Sequence, residues 1–285
     1  MFKKLGIIFS DIKLQHTVFA LPFAIMSAFL AAEGLPETQK LLWILLAMVS
    51  ARSSAMAFNR IVDARFDAEN PRTEGRALPA GKIGTGSYIV FLVASSLIFI
   101  FSAAMLNRLA FYLSPVALAI VFFYSLTKRF TAYSHFWLGL AISVAPVGAW
   151  VAIREEIALP SLILGSAVVF WLVGFDIIYA CLDVGADTKN KLNSIPQKYG
   201  VGKALSFAKA AHFVMILLLL ALWFVSPLLG GLYLMAVAMV AGFLWYEHSL
   251  VSVRDLSKVN VAFFNVNGWI SLSLMALVIV DCVWV

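Results

Sequence analysis

The amino-acid sequence predicts an all-α, polytopic membrane protein with nine transmembrane helices. Hydrophobic residues make up 62% of the 285 residues, against about 45–50% in soluble domains. Charged residues make up 13%, about half of the usual ~25%. The apolar residues form long runs without the alternating pattern of barrel strands, which leaves helices as the spanning structure. This composition excludes a water-soluble domain and a disordered chain.

The nine spans follow from the apolar runs, taken in chain order. A helix needs about 20 mostly apolar residues to cross the hydrocarbon core. The predicted spans are residues 17–32, 41–58, 87–106, 109–125, 136–151, 159–180, 212–225, 228–245 and 261–284. We interpret the first run as a span and not as a cleaved signal peptide, because a long polar segment precedes it and another apolar run follows.

The positive charges predict how the chain lies in the membrane. Of its 21 Lys and Arg residues, 17 lie at the N-terminus or in the connections after the second, fourth, sixth and eighth runs, and Arg52 near the end of the second run is counted with them as the eighteenth. Because such residues mark the cytoplasmic side, we expect a multi-pass protein of the cytoplasmic (inner) membrane. Its N-terminus would be cytoplasmic and its C-terminus outside. The net charge of +6 then reflects topology and not a nucleic-acid-binding surface.

A first acidic stripe follows the second run directly. Asn59, Asp63 and Asp67 are four residues apart, so they share one face of a helix. Like charges at this spacing repel each other, and a divalent cation would offset the repulsion. Mg²⁺ suits such a stripe, because it binds one or two carboxylates together with water and phosphate oxygens.

A second acidic stripe follows the sixth run, on the same predicted side of the membrane. Asp176, Asp183 and Asp187 are separated by seven and four residues, and Tyr179 lies beside them. This spacing also places the three aspartates on one face of an extended helix.

The spacing of the two stripes suggests an old internal duplication. Asp63 and Asp183 are 120 residues apart, as are Asp67 and Asp187. A basic loop with Pro and Gly follows each stripe. We therefore predict one membrane domain over residues 1–285, built from two related halves at about residues 1–135 and 136–285.

Basic residues on the same side complete the chemistry that a diphosphate requires. Diphosphate oxygens can bridge metal ions while Lys and Arg bind the remaining oxygens. Arg72 and Lys128 adjoin the motifs, whereas Lys189 and Lys191 fit the topological bias equally well. Two alternatives are solvated helix ends without a ligand, and a transporter with ionisable residues near the bilayer midplane. The four histidines lack metal-ligand spacing and receive no role.

Two long motifs resemble those of a known family. The pattern N-x-x-x-D-x-x-x-D-x-x-N-P-R-T at residues 59–73, followed by R-x-L-P-x-G at 76–81, resembles the first signature of the UbiA superfamily of intramembrane aromatic prenyltransferases. The pattern D-x-x-Y-A-x-x-D-x-x-x-D at 176–187 resembles the second, and Y-x-x-x-K-R-x-T at 124–131 resembles a third shared element. The resemblance is nearest to 4-hydroxybenzoate polyprenyltransferases. One departure is Arg60, where many members carry Asp.

The resemblance implies a fold and a reaction. It implies nine helices around a central cavity, with both acidic motifs at its cytoplasmic mouth. Bound Mg²⁺ would hold a polyprenyl diphosphate, and the prenyl group would pass to a ring carbon of an aromatic acid. The implied acceptor is 4-hydroxybenzoate, in ubiquinone-type quinone biosynthesis. The alternative is a hydroxynaphthoate, in menaquinone biosynthesis.

The resemblance also implies roles for individual residues. The metal ligands would be Asp63, Asp67, Asp183 and Asp187. These four would form the catalytic set together with Tyr124, whose ring face can stabilise a prenyl cation, and Lys128. The substrate-binding residues would be Asn59, Arg72, Arg76, Lys128, Arg129, Asp176 and Tyr179.

Overall fold

A computed structural model describes residues 2–12 and 19–284, and every regular element within these ranges is a helix. The helices are α1 Phe2–Asp11, α2 Leu21–Ala32, α3 Thr38–Ala68, α4 Thr85–Leu106, α5 Arg108–Thr127, α6 Ser134–Arg154, α7 Leu159–Ala180, α8 Val184–Lys189, α9 Ile195–Tyr199, α10 Val201–Val225, α11 Gly231–Ser249 and α12 Asn267–Trp284. A 3₁₀ turn, Cys181–Asp183, links α7 to α8, and a π-helix, Val261–Val266, leads into α12. The all-α prediction is confirmed.

Seven helical segments of the described chain are long and apolar enough to cross a bilayer. They are α3, α4, α5, α6, α10, the segment Leu159–Lys189 and the segment Val261–Trp284. Helix α2 is apolar but has 12 residues, and the start of its predicted span lies outside the described residues. Helix α11 has 19 residues. The count of nine spans therefore stays a prediction.

Two of the spanning segments are longer than the hydrocarbon core requires. Helix α3 has 31 residues and so does the segment Leu159–Lys189, which corresponds to about 46 Å at 1.5 Å per residue. The core is about 30 Å thick. Because the apolar residues come first in each segment, the surplus lies at the C-terminal end, where the two acidic stripes are.

The helices pack mainly against their neighbours in the chain. Helix α3 packs on α4, α6 on α7, and α7 on α10, while α2 contacts both α6 and α12. Helix α7 lies at the centre, with Leu164, Trp171 and Ile177 fully buried. Helix α4 exposes apolar side chains such as Val90, Leu97 and Phe101, as expected of a surface that faces lipid.

Candidate active site

The first acidic stripe occupies the last turns of α3. Asn59 Nδ2 donates to Asp63 Oδ2 at 2.7 Å, one helical turn away. Asp63 Oδ1 lies 3.3 Å from Nη2 of Arg129. Both carboxylate oxygens of Asp67 accept from Nη1 of Arg76, at 2.6 and 2.7 Å. The stripe forms as predicted, and each of its aspartates has a cation beside it.

The second acidic segment is not one continuous helix. Helix α7 ends at Ala180, and the 3₁₀ turn Cys181–Asp183 precedes α8. The tighter turn interrupts the shared face that the spacing predicts. Asp176 contacts the buried His135, with its Oδ2 at 2.6 Å from the histidine Nδ1. Asp183 and Asp187, which are 7% and 4% exposed, face cations of the first half instead.

Those cations come from the loop after α3 and from the end of α5. Arg72 forms a bidentate pair with Asp183, from Nε to Oδ1 at 3.0 Å and from Nη2 to Oδ2 at 2.7 Å. The Nη1 of Arg72 donates to the Tyr179 hydroxyl at 3.1 Å. Lys128 Nζ lies 3.7 Å from Asp187 Oδ2. These contacts join the two halves of the chain.

Four aspartates and four cations thus form four ion pairs, which we call the mouth cluster. Its members are Asp63, Asp67, Asp183, Asp187, Arg72, Arg76, Lys128 and Arg129. The aspartates come from α3, the 3₁₀ turn and α8, and the cations come from the loop after α3 and from two adjacent residues after α5. Each carboxylate has a counterion, which offsets the repulsion within each stripe. Lys189 and Lys191 remain exposed, in agreement with a topological role.

Arg72 is held from several sides. Its guanidinium carbon lies 5.0 Å from the centre of the Tyr179 ring, and that ring packs on Phe263 of the π-helix at 4.2 Å between centroids. Burial acts to lower the pKa of Arg72, but its bonds to Asp183 and Tyr179 outweigh burial and raise the pKa above its ordinary value. Arg72, which like any arginine is always charged, is thus held in place within the mouth cluster.

The carboxylate groups of the mouth cluster are suitable ligands for a metal ion that also binds a phosphate. In the described chain, no three or more His, Cys, Asp or Glu side chains are gathered closely enough to hold a metal by themselves. Asp187 Oδ2, however, is buried and accepts no hydrogen bond from the described residues. Mg²⁺ commonly takes one or two carboxylates and completes its shell with water and phosphate oxygens. The carboxylates present suit that mode.

A cavity of about 510 Å³ lies among α3, α4, α5, α6 and α7. Its lining is mostly apolar, with the side chains of Arg52 and Tyr124 among the polar exceptions. Arg52 precedes Asn59 by seven residues, or two turns of α3, and Tyr124 precedes Lys128 by one turn of α5. The cavity therefore adjoins the mouth cluster, and Tyr124 belongs to the cavity rather than to the cluster.

Sequence reasoning missed Arg52 as a candidate site residue, although a signal for it was present. Arg52 lies inside the apolar run 41–58, and it was interpreted only as part of the positive-inside bias. A charged residue within a span points to a functional site by default. The cavity lining now identifies Arg52 as the cation next to the cavity space.

Two partly buried polar pairs near the acidic stripes were missed as well. Arg60 lies outside the mouth cluster and pairs with Asp11 of α1 at 3.0 Å. His135 pairs with Asp176, as described above. The partners are 49 and 41 residues apart in sequence, so no local pattern could have revealed either pair.

Comparisons with known proteins give consistent matches over nearly the whole chain. The model of the UbiA prenyltransferase family matches residues 20–269. The 4-hydroxybenzoate octaprenyltransferase of Nitrosospira multiformis is 30% identical over 257 residues, which cover 89% of this chain and 86% of that protein. The 4-hydroxybenzoate octaprenyltransferase of Chromohalobacter salexigens is 31% identical over 249 residues, with coverage of 87% and 82%.

Solved structures agree with the helical arrangement. The apo structure of a UbiA homologue from Aeropyrum pernix K1 superposes with a TM-score of 0.85 at 31% identity, covering 94% of this chain and 98% of that chain. A UbiA homologue from Archaeoglobus fulgidus bound to DMAPP and Mg²⁺ has a TM-score of 0.74 at 18% identity, with coverage of 96% and 98%. At that lower identity the likeness concerns the fold alone.

Proposed function

Since the chain belongs to the UbiA prenyltransferase family, we propose that it transfers a polyprenyl group from a polyprenyl diphosphate to a ring carbon of 4-hydroxybenzoate. The two bacterial relatives described above are named for this acceptor. Family membership makes the chain an enzyme of prenyl transfer and not the transporter considered from the sequence. Ubiquinone-type quinone biosynthesis is the pathway that this acceptor supports.

The mouth cluster is the observation that carries the proposal. It places four carboxylates and four cations beside an apolar cavity, and a polyprenyl diphosphate combines a charged head with an apolar tail. Each Arg of the cluster has five N–H donors and Lys128 has three. Donors that now bond aspartates can therefore bind diphosphate oxygens.

The metal in this proposal is Mg²⁺. The residues that would hold it are Asp63, Asp67, Asp183 and Asp187. When bound, the ion supplies charge neutralisation to the diphosphate, which makes it a better leaving group. The Archaeoglobus fulgidus homologue was solved with DMAPP and Mg²⁺ together, which supports a joint site.

The remaining roles follow from the contacts of each side chain. The diphosphate would be bound by Arg72, Arg76, Lys128 and Arg129, where fixed cations stabilise the negative charge that develops on it. Asn59 orients the carboxylate of Asp63, and Tyr179 holds Arg72. Tyr124 offers its ring face to an allylic cation in the cavity. The apolar lining limits the access of water, which would otherwise capture that cation.

Arg52 supports an acidic aromatic acceptor. Its cation lines an otherwise largely apolar cavity, where a carboxylate can form charge-assisted hydrogen bonds with a guanidinium. An aromatic ring held there by its carboxylate would lie near Tyr124 and the mouth cluster. A hydroxynaphthoate also carries a carboxylate, so Arg52 does not distinguish the two acceptors. An enzyme assay with both compounds is needed to tell them apart.

The experiment offers the purified protein Mg²⁺, a labelled polyprenyl diphosphate and a panel of aromatic acids, with products identified by mass spectrometry. We expect prenylated 4-hydroxybenzoate. Asp63→Asn and Asp183→Asn should each lower the rate by roughly 100-fold or more, while Asp255→Asn, in an exposed loop, should leave it unchanged. If only a hydroxynaphthoate is prenylated, the proposed acceptor is wrong and the protein acts in menaquinone biosynthesis.

Metal removal gives a second test of the same mechanism. Excess EDTA should stop product formation, because the diphosphate then keeps its full negative charge and leaves poorly. Restoring Mg²⁺ should restore the rate. Full activity in EDTA would contradict the proposed role of the aspartates.

A further inference from the structure

Helix α1 lies outside both acidic motifs but packs beside the first of them. Its apolar side chain Ile8, together with Ile12 just after the helix, packs in one cluster with Ala57 of α3, Ala77 of the following loop and Tyr88 of α4. At the end of α1, Asp11 enters the space between these elements, with only 9% of its side chain exposed. The sequence gives no reason for a carboxylate there.

Every oxygen of the Asp11 carboxylate is engaged by a different part of the fold. Its Oδ2 accepts from Arg60 Nε at 3.0 Å and from the Tyr88 hydroxyl at 2.5 Å. Its Oδ1 accepts from the backbone N–H of Ala77 at 2.8 Å. Burial acts to raise the pKa of Asp11, but these bonds and the charge of Arg60 outweigh burial and hold the pKa below its ordinary value.

One path leads from Asp11 to Asp63. Arg60 is itself 3% exposed, and its Nη1 donates to Asn59 Oδ1 at 3.2 Å. That bond fixes the orientation of the Asn59 amide, whose Nδ2 donates to Asp63 Oδ2 at 2.7 Å. Without Asp11, Arg60 loses the partner that aligns it, and the Asn59 amide can turn away from Asp63.

A second path leads from Asp11 to Asp67. The backbone N–H group that donates to Asp11 Oδ1 belongs to Ala77, which follows Arg76 directly. Arg76 in turn bonds both carboxylate oxygens of Asp67. Asp11 thereby fixes the loop at the point from which Arg76 reaches the mouth cluster.

We propose that Asp11 is a positioning residue for the metal and diphosphate site, acting through Arg60 and Asn59 on Asp63 and through the loop at Ala77 on Arg76. The inference rests on the proposed function, because it takes the mouth cluster as the place where Mg²⁺ and diphosphate bind. Residues of this kind, which orient groups that bind a metal, typically change metal affinity or activity 10–100-fold when they are replaced.

The test compares Asp11→Ala and Asp11→Asn with the wild type. The control is Glu74→Gln, an exposed acid in the same loop. Binding of Mn²⁺ in the presence of inorganic pyrophosphate is followed by electron paramagnetic resonance of the purified protein, together with its thermal midpoint. We expect both Asp11 variants to bind Mn²⁺ roughly 10–100-fold more weakly, and Glu74→Gln to bind as the wild type does.

A double variant separates positioning from a general loss of structure. If Asp11 acts through Arg76, the losses of Asp11→Asn and Arg76→Ala should not multiply, because residues in one network are not additive. Losses that multiply would overturn the path through Arg76, and unchanged Mn²⁺ affinity in Asp11→Asn would overturn the whole inference. Asp11→Asn keeps the shape of the side chain, so it decides the question if Asp11→Ala does not fold.

The outcomes distinguish this inference from the proposed function. A wild-type protein that binds Mn²⁺ and pyrophosphate but prenylates no aromatic acid would refute the proposed reaction, while the Asp11 comparison would still be decided by binding. A wild-type protein that binds neither probe would overturn both. Kinetic data add one check, since Asp11→Asn should raise KM for the prenyl diphosphate and leave KM for the acceptor unchanged.

Discussion

At the scale of single residues, Arg52 carries the proposed binding of the acceptor, because its side chain lines the cavity. If its guanidinium holds the acceptor carboxylate in the cavity, Arg52→Gln removes a charge-assisted bond of about 1.5–3 kcal/mol. We expect KM for the aromatic acid to rise roughly 10–100-fold, with KM for the prenyl diphosphate unchanged. Steady-state kinetics with each substrate varied in turn measures this. Arg65→Gln, whose parent side chain is 88% exposed on the same helix, is the matched control, and equal changes in both KM values would count against the assignment.

The pair of His135 and Asp176 is a second feature at this scale. His135 is fully buried and its Nε2 also accepts from the backbone N–H of Ile195 at 3.4 Å, so it ties α7 to the first residue of α9. His135→Ala should lower the free energy of unfolding by about 1–3 kcal/mol, because Asp176 and the N–H of Ile195 lose their buried partner.

We would measure thermal unfolding in detergent micelles for His135→Ala, Asp176→Ala and the double variant. The double variant of His135→Ala and Asp176→Ala should lose less stability than the two single losses together. Thr188→Ala, whose exposed hydroxyl bonds within α8, should behave as the wild type does. Strictly additive losses would show that the two residues act separately.

Spacing along the chain predicted the aspartates but not the side chains that hold them in place. Asn59, Asp63 and Asp67 follow from helical periodicity alone, and the bond from Asn59 to Asp63 has the same four-residue spacing. The partners of Arg60 and Asp176 come from segments far away in sequence, and only the docking of α1 and α6 brings them near. Arg52 is different, since its place within an apolar run was visible in the sequence.

At the scale of elements, the sequence predicted most helices but not their interruptions. The apolar runs locate α3 to α7, α10 and α12, because hydrophobicity sets the length of a span. The 3₁₀ turn at Cys181–Asp183 and the π-helix at Val261–Val266 depend on packing, for which the composition carries no signal. Both irregular elements contact the site, through Asp183 and through Phe263 against Tyr179, as such elements often do.

Gly139 permits one close contact between the backbones of α6 and α7. A Cβ atom at Gly139 would lie 2.9 Å from the backbone oxygen of Val169 and 3.1 Å from its Cα. Backbone atoms cannot change conformation as a flexible side chain can, so Gly139→Ala should force α6 and α7 apart. We expect a loss of about 1–3 kcal/mol in stability, as for other overpacked interiors.

Gly148 offers a matched control on the same helix. A Cβ atom there meets no atom within 4 Å, so Gly148→Ala should unfold at or above the wild-type temperature, as helix propensity favours Ala over Gly. Thermal unfolding of both variants in one detergent makes the comparison. Equal midpoints would show that the contact between α6 and α7 adjusts without cost.

At the scale of the whole molecule, the distribution of charge predicted that the site lies at one end of the helices, whereas the packing of the helices had to come from the structure. The basic connections and both acidic stripes lie at one end of the helices, as the charge count predicted. Helix α2 contacts both α6 and α12. None of the sequence motifs predicts these contacts. Contacts between apolar helix faces are not directional, so the sequence of one helix does not show which other helix it packs against.

The structure also bears on whether α11 crosses the membrane. Asp281 of α12 accepts from the N–H groups of Gly230 and Tyr233 at the start of α11, at 2.9 and 2.8 Å. At the opposite end, Asn267 of α12 donates to Glu247 of α11 at 3.0 Å. The two contacts are 14 residues apart on both helices, about 21 Å, so α11 runs antiparallel to a spanning helix along most of its length. We therefore propose that α11 crosses as well.

Labelling of single cysteines tests this crossing and the orientation together. Glu156 lies between α6 and α7, and Ser257 lies between α11 and the π-helix; both are exposed, while the native Cys181 and Cys282 are buried. Three crossings separate the two positions if α11 spans. A membrane-impermeant maleimide should then label Glu156→Cys in intact cells, but Ser257→Cys only after the cells are opened.

Each contrary result of the labelling has its own meaning. Labelling of both positions in intact cells would show that α11 does not cross. Labelling of Ser257→Cys alone would place the N-terminus and the mouth cluster outside. The expected pattern places the mouth cluster in the cytoplasm, because the ends of α3, α5 and α7 that carry it lie on the side of Ser257. A charged prenyl diphosphate made in the cytoplasm could then bind without its head group crossing the bilayer, which would be costly for an unpaired charge.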